Sequence, residues 1–114
     1  MLFTTANAFF ALVDEISREE RLSIEEEKEC ARRMRAGDGE AREALLRRYL
    51  PVVASFIRRS FSKEPSLDLI YRGIAVLEET LDKYDFQNEN ITFTHALSTK
   101  LRRMMAAYIA DSSV

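Results

Sequence analysis

Few residues of this sequence have the types and spacing that catalysis requires. Three carboxylates, Glu78, Glu79 and Asp82, lie close together and could act as a general acid and base. The chain has one histidine, His95, and it lies outside this acidic run. A solvated helix face explains such a cluster better than acid–base chemistry does. We therefore predict no catalytic residue and no enzymatic activity.

The residues that hold metals and nucleotides are also missing. The single cysteine, Cys30, excludes an internal disulfide, and with one histidine it leaves no spacing typical of zinc ligands. Gly37 and Gly39 are not followed by the lysine and serine of a phosphate-binding loop. We expect no metal and no cofactor. The low cysteine content favours an intracellular protein, which we place in the cytoplasm.

Basic side chains form two clusters that could contact phosphate groups. One cluster comprises Arg47, Arg48, Arg58, Arg59 and Lys63, and the other comprises Lys100, Arg102 and Arg103. The net charge of −2 conceals them, because residues 31–63 sum to +6 while residues 1–30 and 64–90 sum to −5 each. The alternative is that arginines beside an apolar stripe only solvate a helix.

Local signals predict the helices that carry these groups. Ser23 and Glu26 form a capping box, so a helix begins there, and Gly37 supplies a left-handed cap at its end. Apolar residues then recur every three or four positions over 41–61 without a change of phase at Pro51. This pattern predicts one kinked helix and not two separate ones.

Ser66 is the expected N-cap of a further helix, after a loop over residues 62–66. Gly73 lies inside this helix at a cost of about 1 kcal/mol relative to alanine, so it either permits a close backbone approach or is merely tolerated. The apolar stripe of this helix comprises Leu67, Ile70, Ile74, Leu77, Leu81 and Tyr84. After a loop over 87–90, a last amphipathic helix is defined by Leu97, Leu101, Met104, Met105, Tyr108 and Ile109.

The N-terminal segment MLFTTANAFFALV is apolar, but its 13 residues are too few to span a bilayer as a helix. It has no basic leader and no small-residue cleavage site. We predict a first helix that packs on the domain, and the alternative is attachment to a membrane surface. The packing residues would be Phe3, Phe9, Phe10 and Val13.

A chain of 114 residues with 46% hydrophobic and 32% charged residues is typical of one folded domain. No stretch alternates between apolar and polar residues as a strand does. The predicted class is all-α, with four or five helices and no membrane span.

Several motifs, in their order and spacing, resemble the sigma-70 class of bacterial RNA polymerase sigma factors. They are the capping box, Gly37-Asp38, Asp68-Leu69-Ile70, Gly73, Leu77 and Lys83-Tyr84-Asp85. The resemblance covers Leu22 to about Asp111 and implies the family's helical domain, regions 1.2 and 2. We accordingly divide the chain into an apolar helix and linker, 1–21, and a region 2-like domain, 22–114. The leader also resembles the pro-segment arrangement of sporulation sigma factors.

The resemblance implies a function in transcription initiation. In the family, the helix that matches residues 66–84 docks on the clamp helices of the largest polymerase subunit. This chain has Tyr71-Arg72-Gly73-Ile74 where the family usually has Gln-Glu-Gly-Asn, and such a change weakens docking on an unchanged clamp. The docking residues implied here are Asp68, Tyr71, Arg72, Ile74, Leu77 and Glu78.

In the family, the following helix captures the melted −10 strand of promoter DNA by stacking bases on aromatic rings. The family's Tyr-Ala-Thr-Trp-Trp is replaced here by residues 96–100 or 95–99, neither of which contains tryptophan. Because stacking contributes about 1–3 kcal/mol per base, we expect weak DNA binding. The implied DNA contacts are His95, Thr99, Lys100, Arg102 and Arg103. With no second helical domain in these residues, we expect no recognition of a two-part promoter.

The alternative function is a diverged sigma-like module for protein–protein interaction or regulation. Its altered helix would recognise another protein or a second copy of the chain, giving a homo-oligomer. An exposed Tyr71 beside Ile74 would favour this alternative, because exposed apolar patches are frequent contact sites.

Overall fold

The computed structural model of the chain describes residues 3–60, 66–87 and 90–112. These ranges contain no strand and form five α-helices: α1 (Ala6–Ser17), α2 (Ile24–Arg35), α3 (Gly39–Ser60), α4 (Leu67–Lys83) and α5 (Phe93–Ser112). The predicted all-α class is confirmed. Helix α3 is central because each of the other four helices packs against it, and α4 also packs against α1 and α5.

The two ends of α2 and the start of α3 lie where the capping residues in the sequence predict them. The hydroxyl of Ser23 accepts from the Glu26 amide at 3.1 Å, and the Glu26 carboxylate accepts from the Ser23 amide at 3.0 Å, so the predicted capping box is present. Gly37 has a φ of 97°, the left-handed conformation predicted for it. Asp38 then caps α3 by accepting from the backbone amides of Glu40 and Ala41.

The long apolar stripe of α3 forms the centre of the core. As predicted, the helix continues through Pro51 without a break. Its buried residues recur along one side and comprise Ala41, Leu45, Leu46, Tyr49, Leu50, Val53, Ala54 and Ile57. Phe61 and residues 62–65 of the loop predicted over 62–66 lie outside the described residues.

Glycine at position 73 is required by the crossing of α3 and α4. A Cβ atom added there would lie 2.8 Å from Cγ1 of Val53 and 3.4 Å from Cδ1 of Ile57. The first distance is too short for two carbon atoms in contact. Of the two explanations for this glycine, the close backbone approach is therefore the correct one.

Helix α1 packs on α3 and α4 through Phe9, Val13 and Ile16, which are buried. The rings of Phe3 and Phe10 flank Phe9 edge-on, at centroid distances of 5.3 and 5.1 Å. The predicted packing of the N-terminal helix on the domain is confirmed. Within the described ranges, no helix is long and apolar enough to cross a membrane.

Replacing Gly73 with alanine should destabilise the protein by about 1 kcal/mol in urea denaturation. The gain in helix propensity is about 1 kcal/mol, whereas overpacking of a core costs about 1–3 kcal/mol. Valine has little rotamer freedom in a helix, so Val53 cannot move aside easily. Adding Val53→Ala should remove the overlap, and the two changes together should cost less than the sum of the single changes.

Gly39→Ala is the matched control, because a Cβ atom at position 39 meets no atom within 4 Å. We expect no loss of stability from it. A Gly73→Ala protein as stable as the original chain would contradict the close packing of α3 and α4.

Candidate functional site

The outer face of α4 carries the predicted docking residues that stay accessible. The Nε atom of Arg72 donates to Oδ2 of Asp68 at 3.1 Å, one helical turn away. The same guanidinium lies 5.3 Å from the ring centroid of Tyr108 on α5. Arg72 therefore joins α4 to α5 while its side chain remains exposed.

Two residues assigned to the docking face lie in the core. Ile74 and Leu77 are 4% and 0% exposed. They belong to the apolar stripe of α4, and a side chain that fills the core cannot also contact a partner. Their assignment to a partner surface is thus corrected: they hold α4 in place.

Tyr71 is half-buried, and its polar end is used within the chain. Its hydroxyl accepts from the backbone amide of Phe3 at 2.5 Å and donates to the Phe3 carbonyl at 2.9 Å. With Ile74 buried beside it, the exposed apolar pair that would favour an interaction module is not found. Tyr71 instead connects the N-terminal segment to α4 through these hydrogen bonds.

The acidic cluster on α4 is occupied by ion pairs. A terminal nitrogen of Arg42 on α3 lies 3.7 Å from Glu78 and 3.5 Å from Asp82. A hydrogen bond from Lys83 lowers the pKa of Glu79, whereas a general acid at neutral pH needs a raised one. This arrangement matches the predicted solvated face and not an acid–base pair.

The two basic clusters differ in their surroundings. On α3, Arg47 pairs with Glu19, Arg48 with Glu27 at 3.2 Å, and Arg58 with Asp14 at 3.8 Å. Most of this cluster is therefore neutralised within the chain, which supports the alternative of an intramolecular role. Arg59 donates to the Ser55 carbonyl, and Lys63 lies outside the described residues.

The basic cluster on α5 is not neutralised by close ion pairs. No carboxylate of the described ranges lies within 4 Å of the side-chain nitrogens of Lys100, Arg102 and Arg103. His95 is exposed and Thr99 half-exposed on the same helix, and the Thr99 hydroxyl donates to the His95 carbonyl at 3.0 Å. The five predicted DNA contacts thus lie along one helix, with most of its charge available.

An aromatic cluster beside the start of α5 was missed by sequence reasoning. The ring of Phe93 lies 4.3 Å from Tyr49, 5.3 Å from Tyr84 and 5.4 Å from Phe86, between ring centroids. With Ile24 they line a cavity of about 290 Å³. The sequence does show aromatic residues on both sides of the loop predicted over 87–90. Their contact with Tyr49 could not be read from it, because that contact depends on how α3 and α5 pack.

Tyr49 also links this aromatic cluster to α2 through a hydrogen bond. Its hydroxyl donates to the Glu27 carboxylate at 2.9 Å. Burial raises the pKa of Tyr49, and the hydrogen bond to Glu27 raises it further, so the phenol stays protonated. Exposed Ile24 lines the cavity, and the backbone carbonyl of Ile91 accepts from the Tyr84 hydroxyl.

Removing the hydrogen bonds between Tyr71 on α4 and Phe3 should destabilise the N-terminal segment alone. Tyr71→Phe deletes both hydrogen bonds to Phe3, each worth about 1 kcal/mol. We expect the Phe3 amide to exchange with deuterium about fivefold faster or more, because local opening becomes easier. Exchange of core amides in α3 should stay unchanged, and an unaltered Phe3 amide would contradict this contact.

The described helices, with a capped α2, a central α3 and a glycine-dependent α3–α4 crossing, define the class as an all-α helical domain. The family model described as Sigma-70 factor, region 1.2, matches residues 13–40, from the second half of α1 into α3. This match begins nine residues before the start of the resemblance at Leu22.

Two curated relatives give the same result. They are the RNA polymerase sigma factor SigA of Listeria monocytogenes serovar 1/2a and that of Listeria innocua serovar 6a. Each is 33% identical over 100 residues, which is 87% of this chain and 26% of the relative. The chain is a diverged member of the sigma-70 family, and it spans about a quarter of the length of these relatives.

Proposed function

We propose that the chain acts in transcription initiation, docking on core RNA polymerase through α4 and contacting promoter DNA weakly through α5. The observation that carries this proposal is the basic face of α5, which makes no ion pair within 4 Å among the described residues and belongs to the helix that begins at the aromatic cluster. The SigA relatives are named as RNA polymerase sigma factors, and membership of their family supports the polymerase as partner. The chain would work in the cytoplasm, without enzymatic activity.

The proposed docking face is smaller than the resemblance implies. Of the six residues, Asp68 and Arg72 are exposed and Tyr71 and Glu78 are half-buried. Because the hydroxyl of Tyr71 is bonded to Phe3, the polar groups left to meet the clamp helices of the largest subunit are those of Asp68, Arg72 and Glu78. Arg72 replaces an acidic residue of the family pattern, and its charge is partly satisfied by Asp68 at 3.1 Å. A clamp surface that suits the family's acidic residue would meet a cation here, so docking should be weak.

Arg72→Glu should increase capture of the chain by immobilised core polymerase. The change restores the acidic side chain of the family pattern and removes a like-charge contact at the clamp. Biolayer interferometry should give about tenfold tighter binding, mainly through slower dissociation. Far-UV circular dichroism checks that the helix tolerates a second carboxylate one turn from Asp68.

Arg103→Glu is the charge-matched control, since it makes the same change on the exposed face of α5. It should leave capture by the polymerase unchanged. If neither the original chain nor the Arg72→Glu variant binds core polymerase, docking through α4 is refuted.

DNA contact is proposed to combine phosphate binding with limited stacking. Lys100, Arg102 and Arg103 would hold the backbone. Tyr84 and Phe86 are half-buried at the cavity near the start of α5 and would meet an unstacked base. They supply less exposed ring area than a pair of tryptophans, so sequence preference should be small.

Binding to a single-stranded oligonucleotide should depend steeply on salt. Arg102→Gln with Arg103→Gln removes two phosphate contacts and should reduce the slope of log K against log salt by about 1.4, measured by fluorescence anisotropy. Arg18→Gln with Arg32→Gln removes the same charge from other exposed positions and should leave the slope unchanged. Equal slopes for the two variants would exclude α5 as the DNA contact, and tight sequence-selective binding at physiological salt would contradict weak capture.

A second candidate is an interaction module that recognises another protein or a second copy of the chain. Ile24 favours it, because it is 71% exposed and lines the cavity beside the aromatic cluster. Concentration-dependent association in sedimentation velocity, lost in Ile24→Ser, would support this function.

A further inference from the structure

The connection between α4 and α5 is held at its start by a side chain of α2. Terminal nitrogens of Arg35 donate to the backbone carbonyls of Asp82 at 2.7 Å and Tyr84 at 2.5 Å. Helix α4 ends at Lys83 and Tyr84 is its extended C-cap, so the regular helix provides no amide donor for either carbonyl. Arg35 supplies both donors from one planar guanidinium group.

The base of the Arg35 side chain is itself well fixed. Arg35 is the last residue of α2, and the left-handed Gly37 follows two positions later. In that turn the Asp38 amide donates to the Arg33 carbonyl at 2.9 Å, and Nε of Arg33 donates to Oδ2 of Asp38 at 3.0 Å. Among the described helices, α2 packs against α3 alone. The contact between Arg35 and the end of α4 is therefore made by the side chain and not by helix packing.

The segment that Arg35 binds carries two rings of the aromatic cluster. Tyr84 and Phe86 line the cavity of about 290 Å³, and their ring centroids lie 4.9 Å apart in an edge-on arrangement. The Tyr84 hydroxyl donates to the carbonyl of Ile91, on the far side of the loop. Tyr84 is thus held at its backbone by Arg35 and at the end of its side chain by Ile91. Both rings are half-buried, so part of each remains accessible.

We propose that Arg35 is a positioning residue for nucleic-acid binding, which holds the backbone over 82–84 so that Tyr84 and Phe86 can stack on an unpaired base. This role rests on the proposed DNA contact and adds a residue from α2 to it. A flexible segment would have to be ordered when the base binds, and that ordering would reduce the affinity. Arg35 lowers this cost by orienting the two rings before DNA arrives, and it acts without touching the base.

A short oligothymidylate and an abasic strand of the same length separate stacking from phosphate binding, since only the first strand carries bases. In fluorescence anisotropy, the original chain should bind the oligothymidylate about fivefold more tightly or better. Arg35→Lys keeps the charge but lacks the planar fork that reaches both carbonyls. This variant should bind the two strands about equally, with unchanged affinity for the abasic strand. An equal loss of affinity for both strands would overturn the positioning role, because it would indicate a phosphate contact or a general loss of stability.

Two further variants and a matched control sharpen the test. Arg35→Met removes both donors and one charge, so binding to both strands should weaken, but the ratio of the two affinities should still fall to about one. Arg32→Lys makes the same change as Arg35→Lys at another exposed position of α2, where the arginine is bonded to Glu29, and should keep the ratio. In a Phe86→Leu background, Arg35→Lys should lower the ratio less than it does in the original chain, since both changes affect one surface.

The original chain distinguishes two kinds of failure. If it prefers the oligothymidylate and both Arg35 variants keep that preference, the positioning role is wrong and the proposed DNA contact stands. If the original chain binds both strands equally, or binds neither, stacking on Tyr84 and Phe86 is refuted, and the role of Arg35 is refuted with it.

Discussion

The close crossing of α3 and α4 at Gly73 is the contact on which the arrangement of the other helices depends. With no side chain at position 73, Val53 and Ile57 lie against the backbone of α4. Helix α3 contacts all four other helices, so this spacing also sets where α5 lies beside α4. It thereby determines which sides of α4 and α5 are buried and which remain available to a partner.

Features that depend on a few neighbouring residues were predictable from the sequence. The capping box at Ser23, the left-handed Gly37 and the stripe of α3 follow from hydrogen bonding and periodicity within one segment. The candidate site was less predictable. Ile74 fitted both the apolar stripe and the family's docking positions, and only its packing against α3 decides between them, since burial excludes contact with a partner.

The different surroundings of the two arginine clusters show why composition alone could not choose between them as the proposed phosphate contact. The cluster on α3 meets Asp14, Glu19 and Glu27 from α1, the linker and α2, which are distant in sequence. Such pairs at partly exposed positions add little stability, but they cancel local charge. The α5 cluster makes no ion pair within 4 Å in the described ranges, which is why the proposed contact with nucleic acid is assigned to α5 and not to α3.

Two residues by which α4 differs from the family pattern make contacts with other parts of this chain. Tyr71 has a partner in the backbone of Phe3, and Arg72 lies between Asp68 and the ring of Tyr108. An unmatched substitution on a docking face would leave its polar groups to solvent. Here both side chains make contacts with other segments, so the altered face is integrated into the fold. Tyr71 and Arg72 therefore have structural roles within the chain that do not depend on a partner.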